Sequence, residues 1–177
     1  MIYVMADIHG NMRRFKSILS QINLQPEDTL YILGDVIDLH PDGIRILRMI
    51  MAKPNMKMLL GNHEYMMLRA LGDPYDKSDR GSTYDPSDCL YVWYRNGGGV
   101  THRHLIRLRK QLRAEIFTYL KSLPLNIDIT VNEKSIFSSM VLRSINLIPT
   151  PGNTGVLPIM RYVTDGKRMH GCLTNTP

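Results

Sequence analysis

Three short apolar runs organise the first third of the chain: Ile2-Tyr3-Val4-Met5-Ala6, Thr29-Leu30-Tyr31-Ile32-Leu33 and Met56-Lys57-Met58-Leu59-Leu60. Near-continuous runs of this length predict strands buried on both faces of a parallel sheet. Between them the period changes. From Asn11 to Ile22, the residues Phe15, Ile18, Leu19 and Ile22 share one helical face, and from Pro41 to Ala52 the residues Ile44, Leu47 and Ile50 do the same. The predicted order is strand, helix, strand, helix, strand, helix. Right-handed crossovers then carry the carboxyl ends of all three strands to one edge of the sheet, where open α/β folds gather ligand groups.

Beyond this unit the pattern is coarser. Residues 73 to 88, rich in Asp, Gly, Pro and Ser, predict a surface loop that rims the ligand edge. Leu105, Leu108, Leu112, Ile116 and Leu120 recur at helical spacing, so His102, Arg103, His104, Arg107, Arg109, Lys110 and Arg113 fall on the solvated face of one amphipathic helix. A strand is expected over Leu125 to Val131. From Ser144 to Pro158 the Pro, Asn, Thr and Gly content predicts irregular structure.

Each of the first three runs stops at a chemically loaded turn: Asp7-Ile8-His9-Gly10, Gly34-Asp35-Val36-Ile37-Asp38 and Gly61-Asn62-His63-Glu64. Singly, each has a plainer explanation. An Asp after a strand caps turns, a lone His is an ordinary hydrogen-bonding group, Gly-Asn suits a turn, and Glu64 favours the start of a helix. Jointly, three strand ends closing in metal-ligand types predict that Asp7, His9, Asp35, Asn62 and His63 converge. Their donors suit Mn, Fe, Zn or similar divalent ions. Two such ions roughly 3.5–4 Å apart clamp both the attacking and the leaving oxygen of an in-line phosphoryl displacement.

In this order the motifs resemble the DxHG, GDxxDRG and GNHE segments of the calcineurin-like metallophosphoesterases, in particular the bacterial serine/threonine protein phosphatase branch, from Met1 to about Val131. The resemblance implies an α/β fold, a metallophosphoesterase-like α/β/β/α sandwich. It implies that Asp7 and His9 hold a first ion, that Asp35 bridges, that Asn62 holds a second, and that His63 is the general acid with Asp38 orienting its ring. Trp93-Tyr94-Arg95-Asn96-Gly97-Gly98 resembles the family's NGG segment beside the substrate, which makes Asn96 and Gly97 substrate-binding candidates; a flexible turn is the alternative. The cofactor expected is manganese, with iron, zinc or nickel as alternatives. The activity implied is hydrolysis of a phosphoester by metal-bound hydroxide, on phosphoserine or phosphothreonine proteins. Cleavage of dinucleoside polyphosphates is the sister activity, and a non-catalytic, degenerate phosphatase-like protein is the rival.

The departures are as specific as the match. Leu39-His40 stands where the family pattern has Arg-Gly, so the phosphate-gripping guanidinium is absent. After Val131 the remaining histidine is His170, in a Met169-His170-Gly171 setting, and Thr174-Asn175-Thr176-Pro177 carries Asn175 at a histidine's place. Hence one tightly held ion is expected where the family has two. If the Ser139 codon ends in C, the codons of Met140 to Arg143 read in the neighbouring frame as His-Gly followed by two residues drawn from Ser, Pro, Thr and Ala. A frameshift beginning near residues 132 to 138 accounts for this, leaving 1–131 as family sequence and 132–177 as an aberrant tail of one domain.

Whole-chain properties add limits. At 177 residues the chain suits a single domain. Cys89 and Cys172 are too few for a disulfide framework and favour a reducing compartment. Met1 runs straight into the first strand, so no signal peptide is expected, and no apolar run approaches the ~20 residues of a membrane span. A cytoplasmic protein follows, with a phosphoprotein or phosphorylated small molecule as partner. The net charge of +6 is accounted for by the solvated basic face, and neither nucleic acid nor membrane is expected as a partner.

Overall fold

The three apolar runs form a parallel sheet. In a computed structural model of the protein, β1 (Ile2–Met5), β2 (Thr29–Ile32) and β3 (Met56–Met58) pair in the order β1-β2-β3, with Ile2 opposite Thr29 and Leu30 opposite Met56. The structure describes residues 1–72, 86–131, 134–139, 162–165 and 168–171, with side chains over 1–72 and 87–127. Between the strands lie α1 (Met12–Ile22) and α2 (Gly43–Met51), and α3 (Asn62–Leu71) follows β3. Asn11 caps α1, its side chain accepting from the Arg14 N–H at 3.0 Å.

Downstream are α4 (Pro86–Arg95), α5 (Gly99–Leu105) and α6 (Lys110–Ser122), then two antiparallel pairs, β4 (Asn126–Val131) with β5 (Lys134–Ser139) and β6 (Tyr162–Asp165) with β7 (Arg168–Gly171). The mixed α/β architecture agrees with the sequence. Three details do not. Burial alternates along β1 and β2, where Tyr3, Met5, Leu30 and Ile32 are buried but Ile2, Val4, Thr29 and Tyr31 only partly. A monotonic strand order with right-handed crossovers puts α1 and α2 on one face, and alternate strand residues point away from them. The buried set packs with Phe15, Ile22, Ile44, Leu47 and Ile50 in one core.

Next, the single amphipathic helix is two helices, broken over residues 106–109, with neither Gly nor Pro at the break. Leu105, Ile116 and Leu120 are buried on either side of it, so packing continues while the backbone turns. Last, residues 86–88 open α4, with Pro86 at the first helical position it favours. The rest of the expected loop, 73–85, lies outside the described residues, as do 144–158, Met140 to Arg143, and Thr174 to Pro177.

Backbone pairing continues past the strand ends and fixes the functional edge. The Leu33 N–H bonds to Met5 O at 2.9 Å, His9 to Asp35 O at 2.9 Å, Gly10 to Val36 O at 2.7 Å, and Leu59 to Ile32 O at 2.8 Å. Gly34, at φ +92°, backs so closely on Gly61 that a Cβ there would lie 2.3 Å from the Gly61 Cα. The turns after β2 and β3 therefore touch backbone to backbone.

Candidate functional site

The turns after β1 and β2 hold non-glycine residues in left-handed conformations. Asp7 and His9 have φ of 54° and 47°, and Asp35, Asp38 and Leu39 have φ of 54°, 70° and 59°. Such residues cost about 1–3 kcal/mol each and persist only where their surroundings over-determine them. Around Asp35 the enforcing group is Glu64, fully buried on α3. Its carboxylate accepts the N–H groups of Asp35 and Val36 at 2.9 Å, Ile37 at 3.1 Å and Gly61 at 3.2 Å. Burial raises the Glu64 pKa, and the donors from Ile37, Asp35 and Val36 oppose that rise by favouring the carboxylate. Sequence reasoning assigned Glu64 only to helix initiation. The available signal was its place three residues before Met67, on the buried face of α3.

The ligand candidates sit on this frame. His9 donates through Nδ1 to Ile37 O at 3.2 Å, which leaves Nε2 as the bare nitrogen, 3.8 Å from Asp7 Oδ1. Burial, with His63 close by, lowers the His9 pKa to about 4, so the ring is neutral at pH 7 and its lone pair is available. Asp35 experiences the reverse. Burial and the neighbouring Glu64 charge raise its pKa to about 7, although Oδ1 accepts the His63 N–H at 3.0 Å. His9, Asp35 and His63 each offer a ligand atom, all within 4.8 Å of one another.

Asn62 completes the group. With its amide nitrogen toward Asp35 it donates to both carboxylate oxygens, at 2.6 and 2.9 Å; with its oxygen there, acceptors face acceptors. A buried carboxylate beside a second acid and a neutral imidazole is an environment that a divalent cation relieves, so these residues fit a metal ion.

Next to this group is a buried pair. His63 donates from Nδ1 to Asp38 Oδ2 at 2.8 Å. Burial alone would lower the His63 pKa, but the Asp38 hydrogen bond and the charges of Asp35, Asp38 and Glu64 outweigh it and raise it. Asp38 is wholly buried, and its own N–H donates to Thr101 Oγ1 at 3.0 Å. The indole N–H of Trp93, at 0% exposure, donates to the same Oδ2 at 2.8 Å. The edge of the His9 ring meets the His63 ring, with centroids 4.7 Å apart.

The structure thus brings together Asp7, His9, Asp35, Asp38, Asn62 and His63. Gly97 lies against the Leu39 side chain at the rim, and Leu39 is 54% exposed. The Asn96 amide turns back to its own helix, donating to Val92 O at 2.8 Å. His40 donates to His9 O at 2.9 Å and so serves the turn. His170 pairs with Val163 in the β6–β7 hairpin. Trp93 and Thr101 are site residues that the sequence did not assign individually.

Comparison with known proteins gives a consistent result. The profile of the calcineurin-like phosphoesterases matches residues 1–153. A protein named symmetrical bis(5'-nucleosyl)-tetraphosphatase, from Pectobacterium atrosepticum, is 31% identical over 100 residues, covering 52% of this chain and 36% of that protein. One of the same name from Wigglesworthia glossinidia brevipalpis is 43% identical over 68 residues, covering 37% of this chain and 25% of that protein. The chain therefore spans about a third or less of these relatives' length. A crystal structure of a metallophosphoesterase from Sphaerobacter thermophilus is similar at 21% identity with a TM-score of 0.44, covering 71% of this chain and 42% of that one.

Proposed function

Because this chain belongs to the calcineurin-like phosphoesterase family, we propose that it is a metal-dependent hydrolase acting on dinucleoside polyphosphates. The observation that carries the chemistry is the convergence of Asp35, His9, His63 and Asn62 on one point. The substrate class rests on relatives that share the name symmetrical bis(5'-nucleosyl)-tetraphosphatase. Asp7, His9 and Asp35 would hold a divalent ion, manganese in this proposal, with Asn62 reaching the same place. A bound ion supplies positive charge that activates water and stabilises the transferring phosphoryl group. His63, with Nδ1 on Asp38 and a raised pKa, keeps a proton for the leaving oxygen through Nε2. Asn96 and Gly97 remain proposed substrate neighbours, Gly97 through Leu39.

The proposal extends to a reducing, cytoplasmic setting, which the free Cys89 thiol suits. No helix among the described residues is long and apolar enough to cross a membrane. It also extends to the tail, where a frameshift after about residue 132 would remove ligands for a second ion, so that one ion is held tightly; the coding DNA of Ser139 to Arg143 decides this.

The test is incubation of the manganese-loaded chain with diadenosine tetraphosphate, with ADP expected as the product. Faster release of phosphate from a phosphoserine peptide would favour a protein phosphatase. Silence on both, in a folded and metal-loaded chain, would favour the non-catalytic alternative, to which Leu39 in place of arginine already points. Leu39→Arg is expected to raise turnover by about ten- to a hundredfold, the value of a bidentate charged contact that strengthens in the transition state.

A further inference from the structure

We propose that Trp93 is a positioning residue for the Asp38–His63 pair, and that the segment from Trp93 to Gly98 acts on the site from behind. Trp93 is the chain's single tryptophan, and it spends its one polar atom on Asp38. Both hydrogen bonds to the Asp38 carboxylate run through one oxygen. Asp38 Oδ2 accepts from the Trp93 Nε1–H and the His63 Nδ1–H, each at 2.8 Å, whereas Oδ1 is buried without a hydrogen-bond partner among the described residues.

That asymmetry gives the tryptophan its task. The terminal torsion of an aspartate is broad and nearly two-fold, so nothing intrinsic distinguishes its two oxygens. The Thr101 bond holds the Asp38 backbone and leaves the carboxylate free to turn. The indole N–H pins Oδ2 and, through it, the orientation in which the carboxylate meets the His63 Nδ1–H. A phenyl ring in its place would keep most of the apolar packing and hold nothing.

Gly98 seats the indole. A Cβ at Gly98 would lie 2.4 Å from Trp93 Nε1 and Cε2, and the Gly98 N–H returns to Trp93 O at 3.0 Å. The glycine after Asn96-Gly97 therefore forms the wall against which the ring lies flat. An added methyl group must displace the N–H from Asp38.

The first test needs neither turnover nor metal. In the metal-free 177-residue chain the lone indole N–H resonance is expected to be strongly deshielded and slow to exchange. An unshifted, rapidly exchanging signal overturns the proposal without any variant. Ring ¹⁵N shifts should show His63 as the Nδ1–H tautomer. In Trp93→Phe, and independently in Gly98→Ala, the His63 Nδ1–H signal should move upfield and exchange faster, because a carboxylate free to turn holds the ring less firmly. A His63 Nδ1–H signal unchanged in a folded variant of either kind makes Trp93 a core filler and overturns the proposal.

The second test uses the manganese-loaded chain and rests on His63 acting as the acid. Trp93→Phe is expected to lower kcat for an alkyl phosphate, a poor leaving group, at least about tenfold more than for p-nitrophenyl phosphate, with KM unchanged. Equal losses on both esters overturn the positioning role. Should His63→Gln slow both esters equally, the acid assignment fails, and the Nδ1–H result alone decides the role of Trp93.

Discussion

The site has two halves that are built differently. Around Asp38 and His63 the side chains are buried and held from several elements: α3 supplies His63, α4 the Trp93 indole and α5 the Thr101 hydroxyl. Around Asp7, His9 and Asn62 the side chains are only partly buried, and the Asp35 carboxylate among them is disfavoured by burial and by the Glu64 charge. The first half is held by hydrogen bonds within the protein. The second is a set of donors around a carboxylate whose charge a cation would relieve. Preorganised hydrogen bonds fix the geometry of proton transfer, and electrostatic strain supplies affinity for an ion.

Removing the brace shared by both halves should have the largest effect. Glu64→Ala leaves four buried N–H groups without their acceptor, and a loss of about 3–5 kcal/mol is expected from the shift of the urea midpoint. A loss below about 1 kcal/mol would mean that the turns hold themselves. The halves separate next. Asp35→Asn should weaken manganese binding by more than about a hundredfold and abolish turnover, whereas Asp38→Asn should change affinity by less than the roughly ten- to hundredfold that loss of a ligand's own partner costs, because Asp38 bonds the proposed acid His63 and not the proposed ligands Asp7, His9 and Asp35. Calorimetric titration of both variants tests this, and similar losses in the two would erase the distinction.

The smallest effect concerns pH. With the Asp35 pKa raised to about 7 and that of His9 lowered to about 4, the competing proton between pH 5 and 8 sits on Asp35. Manganese affinity should therefore fall about tenfold per pH unit below 7, level off above it, and be accompanied by proton release. In the metal-free chain the sign is fixed by the same shift. A carboxyl group whose folded pKa is raised contributes stability below the unfolded carboxylate range, and that contribution is lost as pH rises through about 7. His9, depressed, contributes above its unfolded pKa and loses that contribution as pH falls through about 4. A manganese affinity independent of pH between 5 and 8 would show that Asp35 is ionised before the ion arrives.

By itself, the sequence determined the parallel β1-β2-β3 unit, the helices between its strands, and the convergence of Asp7, His9, Asp35, Asp38, Asn62 and His63 at its edge. The reason is local: apolar runs of strand length, a helical period between them, and crossovers with one permitted hand leave the strand ends nowhere else to go. Tertiary structure alone decided the break between α5 and α6, which no residue type marks, and the one-sided burial of β1 and β2. It also decided what Glu64 and Trp93 do. A glutamate at a helix start, and a tryptophan in a segment singled out for Asn96 and Gly97, carry no mark of their partners in one dimension, because those partners at Asp35–Ile37 and Asp38 lie 27 to 29 and 55 residues away. Which buried polar atom meets which depends on how the helices pack, and periodicity carries no record of that.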